Sequence, residues 1–247
     1  MDRNPLGADI REYDRRISAV FRKTTEKWGG LSNMAAGFPV VVNGIHIRSS
    51  EALYQACRFP HLPSVQEQII LQTSPMTAKM VGKPYRDDTR KDWRRLRIII
   101  MKWCLRVKLV QNWNEFEKLL LETGDLQIVE SSNKDAFWGA KPIDENSLVG
   151  VNALGRLLME LRSFVIQANG KPIEYVSNPK IDDFLILGES IKRVNALDAR
   201  TVTNPQLSVF DIQQSVTVGK PLNATFLSAK DFKADTPLDN SSHDDRL

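Results

Sequence analysis

The segment Pro39-Val40-Val41-Val42-Asn43-Gly44-Ile45-His46-Ile47, continued by Arg48-Ser49-Ser50-Glu51-Ala52-Leu53-Tyr54-Gln55-Ala56-Cys57-Arg58-Phe59, sets a tight hairpin directly ahead of a helix. Two short apolar runs flank Asn43-Gly44, the pair that type I′ turns favour because both central residues take positive φ. Ser50 is then expected to cap the helix by accepting an orphan amide proton, which places the Glu51 carboxylate in the first turn beside the positive end of the helix dipole. An acid there has an ordinary structural use, since first turns favour carboxylates without any chemistry. Its neighbours decide whether it has another.

Ser74-Pro75 predicts a helix start in the cap-then-proline order, closed at Gly82. Lys91 to Lys108 predicts a longer helix with Trp93, Leu96, Ile100, Trp103 and Val107 on one apolar face. Asn114 and Glu117 have capping-box spacing ahead of Phe116, Leu119 and Leu120, and Gly124 is the stop. Leu126 to Val129 predicts a short strand, and Asn152 is expected to cap a last helix carrying Leu154, Leu157, Leu158, Leu161, Phe164 and Val165 at helical spacing. The expected fold is α+β, mainly helical, with a small antiparallel sheet made from the hairpin and the Leu126 strand. After Asn169, Pro172, Pro179, Pro205 and Pro221 punctuate short apolar runs, Phe184 to Leu187 and Val216 to Val218, without a legible second domain. The expected division is a lead at 1–19, a main domain at 20–168, an extension at 169–233 and a disordered polar tail at 234–247.

A chain of 247 residues with 42% hydrophobic and 26% charged residues can bury a real core. Cys57 and Cys104 are too few for a disulfide framework or a thiolate cage, and the three histidines are scattered, so no metal or cofactor is expected. The first twenty residues lack an apolar central run, and Ile98 to Leu105, interrupted by Lys102, is too short to span a bilayer. A cytoplasmic protein with no membrane partner is expected. Residues 1–170 hold 25 Lys and Arg against 19 Asp and Glu, whereas the remainder holds 9 against 11. That basic first part suits a phosphate-bearing ligand or nucleic acid, although inert surfaces also carry excess lysine. Nothing in the sequence assigns an oligomeric state.

Four segments then line up: Phe21-Arg22-Lys23-Thr24-Thr25-Glu26-Lys27-Trp28-Gly29-Gly30-Leu31-Ser32-Asn33-Met34; Ser50-Glu51; Arg90-Lys91-Asp92-Trp93; and Asn133-Lys134-Asp135-Ala136-Phe137-Trp138-Gly139 leading to Gly150-Val151-Asn152-Ala153-Leu154-Gly155. In this order, over Val20 to Val165, the chain resembles the NADAR family, the YbiA-like domains linked to NAD and ADP-ribose metabolism. The resemblance implies a hydrolase that cleaves the N-glycosidic bond between a ribose and a base or amine. Two activities are associated with such domains: removal of ADP-ribose from guanine in nucleic acid, and hydrolysis of N-ribosyl intermediates of riboflavin synthesis. Family members of the second kind usually carry His directly after the Glu, where this chain has Ala52. That departure and the basic first part favour ADP-ribosylated guanine in DNA as the substrate, with release of ADP-ribose in a repair or antitoxin-like role. The alternatives are the riboflavin-pathway N-riboside and a module that binds ADP-ribose or ribosylated nucleic acid without cleaving it.

Breaking a ribosyl C1′–N bond passes through an oxocarbenium-like state, which a carboxylate beside the sugar stabilises while activating a nucleophile. Glu51 and Asp135 are the candidates, although Asp135 also suits an Asx turn ahead of Phe137-Trp138-Gly139. A second route uses an amine: a desolvated Lys23 attacks C1′ and forms a Schiff base with the opened ribose, with Glu26 relaying protons. Without that role Lys23 is a solvated surface residue. Trp93 or Trp138 is a candidate to stack on the base or adenine, with the core as the rival use. Gly29-Gly30 ahead of Ser32 and Asn33 lets the backbone approach a ligand and aim amide protons at phosphate oxygens. Gly139, Gly150 and Gly155 flank the start of the last helix, where Asn152 would meet a pyrophosphate. Arg58, Arg86 and Arg90 are candidate phosphate partners.

Overall fold

Arg11–Asp14 (β1) is the first element of the computed structural model, which describes residues 10–201, all inside a compact unit spanning Met1–Thr203. A second unit, Asn204–Leu247, lies outside the described residues, and with it the expectations for Val216 to Val218 and the polar tail. Ser18–Phe21 (β2) is followed by a 3-10 turn at Gly29–Leu31, the strands Val40–Val42 (β3) and Ile45–Ile47 (β4), and the helices Ser50–Ala56 (α1), Pro63–Ile70 (α2), Pro75–Val81 (α3) and Trp93–Gln111 (α4). Next come Trp113–Leu121 (α5), Gln127–Glu130 (β5), Lys141–Pro142 (β6), Ser147–Gly150 (β7) and Ala153–Ala168 (α6). Tyr175–Val176 (β8), Leu185–Ile186 (β9), Glu189–Ser190 (β10), Val194–Asn195 (β11) and Asp198–Thr201 (α7) complete the described chain.

The core is organised on α4, whose 19 residues make a rod about 28 Å long. Its first half is one-sided, as the spacing predicts. From Ile100 onward it is buried nearly all round, because α1, α5, α6 and the strands β3, β8 and β11 pack about it. The first part of the extension contributes to this core: Val176, Phe184, Ile186, Ile191 and Val194 are buried in it, and Phe184 meets Trp103 edge-on at 4.9 Å.

The fold is α+β and mainly helical, but its sheets are arranged differently from expectation. Asn43 and Gly44 take φ of 51° and 77°, and β3 pairs antiparallel with β4 as its own two-stranded sheet. Strand β5 instead runs parallel to β2, with Phe21 opposite Glu130. Parallel neighbours need a long crossover, which α1 to α5 supply. A separate antiparallel sheet has the order β1-β7-β6.

Three predicted caps shift. Ser49, not Ser50, caps α1: its backbone is extended and its Oγ accepts from Ala52 N at 3.2 Å, while Ser50 is the first helical residue and donates its hydroxyl to the Asn33 carbonyl. Asn114 lies inside α5 rather than at its cap, because α4 and α5 share Asn112 as their junction. Asn152 adopts φ 51° and does not cap α6. Its amide instead donates to Ile128 O at 2.8 Å and accepts from Glu130 N at 3.2 Å, joining the helix start to β5. Gly155 completes that junction, since a Cβ there would stand 2.1 Å from Ile128 O. Among the described residues no helix is long and apolar enough to cross a membrane.

Candidate active site

Glu51 is 6% exposed, and both of its carboxylate oxygens are held. Asn33 Nδ2 donates to Oε2 at 2.6 Å, and Gln55 Nε2, one turn along α1, donates to Oε1 at 2.7 Å. Gln55 is fixed in turn by Arg58, whose guanidinium donates to Gln55 Oε1 at 3.1 Å and to Thr89 Oγ1 at 3.0 Å. A hydrogen-bonded row therefore runs Thr89, Arg58, Gln55, Glu51, Asn33, and orients the carboxylate from both sides. Arg58, expected as a phosphate partner, orients Gln55 in this row. Arg90 is more firmly committed: it is buried, pairs with Asp92 at 2.6 Å and donates to the carbonyls of Asp182 and Asp183, tying the extension to α4. Arg86 is exposed in a short turn ahead of Thr89.

The end of β5 brings up two more acids. Glu130 is pushed up to about 7, first by burial and then by the negative charges of Asp135 and Glu51, with Lys79 opposing. The three carboxyl groups thus lie within electrostatic reach of one another. Asp135 forms the Asx turn that its sequence position suggests: Oδ1 accepts from Phe137 N and Trp138 N, both at 2.8 Å. That turn sets the Trp138 ring edge-on to Tyr54 at 5.8 Å, and Tyr54 packs on Trp93 at 5.0 Å. Trp93 is buried, whereas Trp138 is half-buried and able to meet a ligand. Burial and then the charge of Glu51 raise the Tyr54 hydroxyl, so it remains a proton donor.

Arg97, on α4, stacks its guanidinium on Phe137 at 3.6 Å; burial lowers its proton affinity, and the nearby Asp135 carboxylate opposes that shift. Its buried Nε has no hydrogen-bond partner among the described residues. Glu130, Arg97, Gln55 and Tyr54 were not among the residues expected from sequence. Glu130 follows the apolar pair Ile128-Val129 and reads as a strand end, and Arg97 falls on what reads as the solvated face of a helix.

The expected backbone cradles are occupied by the fold itself. The amides of Gly29, Leu31 and Ser32 bond within their own turn, and the carbonyls of Gly30 and Ser32 accept from Lys108. At the start of α6, the amides of Val151, Asn152, Ala153 and Leu154 go to the carbonyls of Ala136, Gly139, Phe137 and Trp138. Those four amides are thus engaged within the fold, and Asn152 is fully buried and bonded to β5. Gly139 instead lets two backbone segments touch, a Cβ there falling 2.4 Å from Glu130 O.

Lys23 and Glu26 are exposed, in an open groove of about 560 Å³ lined also by Arg15, Arg22, Lys27, Trp28 and Ser131. Glu26 is engaged there, accepting from Arg22 N at 2.7 Å, a bond that lowers its carboxyl from the ordinary value. Ser131 is the residue after Glu130 and donates its amide to Phe21 O at 2.8 Å, so the groove abuts the β2–β5 edge that carries the acid. Among the described residues no group of His, Cys, Asp and Glu side chains is arranged to hold a metal ion.

The NADAR domain model matches residues 20–165. N-glycosidase YbiA of Escherichia coli strain K12 is 37% identical over 142 residues, covering 58% of this chain and 84% of that protein. A riboflavin biosynthesis protein of Vibrio vulnificus is 33% identical over 156 residues, 62% of this chain and 40% of the relative. An NMR structure of Escherichia coli YbiA is similar at TM-score 0.53 and 31% identity, covering 64% of this chain and 95% of that one. The match runs from β2 into α6, over the elements that bring the three carboxyl groups together, and the chain belongs to the NADAR domain family.

Proposed function

We propose that this chain hydrolyses the N-glycosidic bond of ADP-ribosylated guanine in nucleic acid, releasing ADP-ribose and restoring the base. The glycosidase reading is supported by relatives named N-glycosidases and by an acid pair of unequal character. Glu51, held as an acceptor by Asn33 and Gln55, faces the anomeric carbon and stabilises its developing positive charge. Glu130, its carboxyl raised to about 7, is protonated in a large share of molecules near neutral pH, and that form gives its proton to the departing base nitrogen. The C1′–N bond breaks with its electron pair on the base, water adds at C1′, and Asp135 or the emptied Glu130 takes the water proton. Trp138 offers a face to the base, and Arg97 a guanidinium to a phosphate oxygen.

The basic groove carries the choice of substrate. Arg15, Arg22, Lys23 and Lys27 line it against the single acid Glu26, and it opens beside Ser131, one residue from Glu130. A small N-riboside phosphate offers a single phosphate to these four cations, whereas a polynucleotide backbone offers several. The Schiff-base route is the weaker mechanism, because Lys23 is solvent-exposed and its neighbour Glu26 is bound to backbone. A mass-resolved assay decides between substrates: an oligonucleotide ADP-ribosylated on guanine is offered beside an N-ribosylated aminopyrimidine phosphate. Release of ADP-ribose from the oligonucleotide is expected. Turnover of the small riboside alone would overturn the substrate, and tight binding with no product would overturn the catalysis.

A further inference from the structure

Lys108 is completely buried in α4, where burial lowers its amine from the ordinary value to about 7. Its Nζ donates to Gly30 O at 2.8 Å and to Ser32 O at 3.0 Å. It also lies 4.3 Å from the ring centroids of both Phe38 and Phe116, which pack edge-on at 5.4 Å. Burying a cation is unfavourable unless its surroundings replace water, and an uncharged chain of similar length would fill the space without that penalty. Packing therefore gives no reason for a lysine here. Both hydrogen bonds converge on one backbone segment, and that segment ends at the residue that holds Glu51.

With the carbonyls of Gly30 and Ser32 turned onto one nitrogen, the Gly30–Leu31 and Ser32–Asn33 peptide planes are fixed, and Asn33 is delivered to the first turn of α1. There its carbonyl accepts the Ser50 hydroxyl at 3.3 Å and its Nδ2 donates to Glu51 at 2.6 Å. Asn33 Oδ1 is buried without a partner among the described residues, so no second side-chain bond locks the amide. Its orientation depends on the backbone that Lys108 grips. We propose that Lys108 is a positioning residue for the Glu51 carboxylate, acting through the Gly30–Asn33 segment. The proposal rests on the reading that Glu51 works at the reacting carbon. Lys108 itself takes no part in bond breaking, since it is enclosed and bonded to carbonyls.

The test compares kcat and KM of the full chain and its Lys108→Met variant on whichever of the two ribosides the wild-type protein turns over, with thermal melting alongside. The expected result is kcat lower by about 10- to 100-fold, the range a misplaced catalytic group produces, with KM within about twofold and a folded protein whose melting temperature is lower, because the Gly30 and Ser32 carbonyls lose their donor. Combining Lys108→Met with Asn33→Ala should lose little more than the worse single variant, because both act on one carboxylate. Wild-type kcat in folded Lys108→Met, or full additivity in the cycle, overturns the proposal. Should Lys108→Met fail to fold, Phe38→Leu decides: a smaller loss in kcat at constant KM supports positioning, and wild-type kcat overturns it. Glu51→Gln is run in parallel. If that variant is fully active, the reading of Glu51 fails, which is a different outcome from an inactive Glu51→Gln beside an active Lys108→Met.

Discussion

Glu51→Gln should abolish turnover without unfolding the protein, and the site shows why the swap is tolerated. A glutamine keeps an oxygen toward Gln55, whose own orientation is fixed by Arg58, and turns its amide toward Asn33. Asn33 can then flip to present Oδ1, which has no partner among the described residues. A loss of about 10²- to 10³-fold in kcat is expected, with a melting temperature close to wild type. Glu130 makes a second prediction through its proton. Activity that needs the protonated acid should fall as pH rises through about 7, and Glu130→Gln should lower the rate and remove that limb of the profile. Stability follows the same group: a carboxyl raised from its ordinary 4.5 contributes most below that value, and the contribution is lost as pH rises through about 7. The melting temperature of Glu130→Gln relative to wild type should therefore climb between pH 5 and 8. Glu51 was legible in the sequence because helix entry marks its position. Glu130 was not, because its environment is made by the pairing of β5 with β2 and by a loop five residues downstream.

At the scale of elements, local signals were legible and long-range pairing was not. Asn43-Gly44 specifies its hairpin through φ alone, and Ser74-Pro75 opens α3 as expected, with the Ser74 Oγ accepting from Met76 N at 3.2 Å. The cap at Ser50 was displaced because Ser49 takes the Ala52 amide, and the cap at Asn114 because α5 begins at Trp113, directly after Asn112, the C-cap of α4. No local pattern announces that β5 pairs with a strand before five helices, or that Asn152 bonds to that strand instead of to its own helix. The α6–β5 junction gives a direct test. In Gly155→Ala the new methyl would stand 2.1 Å from Ile128 O, so α6 must move off the strand. The expected destabilisation is about 1–3 kcal/mol, or about 2–4 °C in melting temperature for each kcal/mol, measured by calorimetry. Since β5 ends in Glu130, kcat should fall as well in the fraction that remains folded.

Across the whole molecule, the extension and the charge distribution carry the remaining consequences. The expected boundary between 168 and 169 invites a chain ending at Ile173. That truncation removes Val176, Phe184, Ile186, Ile191 and Val194 from the core and uncovers Trp103. At about 1.5–3 kcal/mol for each buried side chain, that loss is comparable with the entire stability of a domain, about 5–15 kcal/mol. The truncated protein should fail to give a cooperative melt. The basic groove allows a gentler perturbation, since Arg22 and Lys27 are exposed and their removal leaves the acid cluster intact. If the groove tracks a polynucleotide backbone, affinity for a single-stranded oligonucleotide should fall linearly with the logarithm of salt concentration, and each lost phosphate contact should lower the slope by about 0.7. Arg22→Gln with Lys27→Gln should therefore flatten the slope by about 1.4 in fluorescence anisotropy titrations. The same pair should raise KM for the ADP-ribosylated oligonucleotide while leaving hydrolysis of an ADP-ribosylated mononucleoside at its wild-type rate. An unchanged slope would mean that the cations are only a solvated face, and the preference for nucleic acid over a small riboside would lose its support.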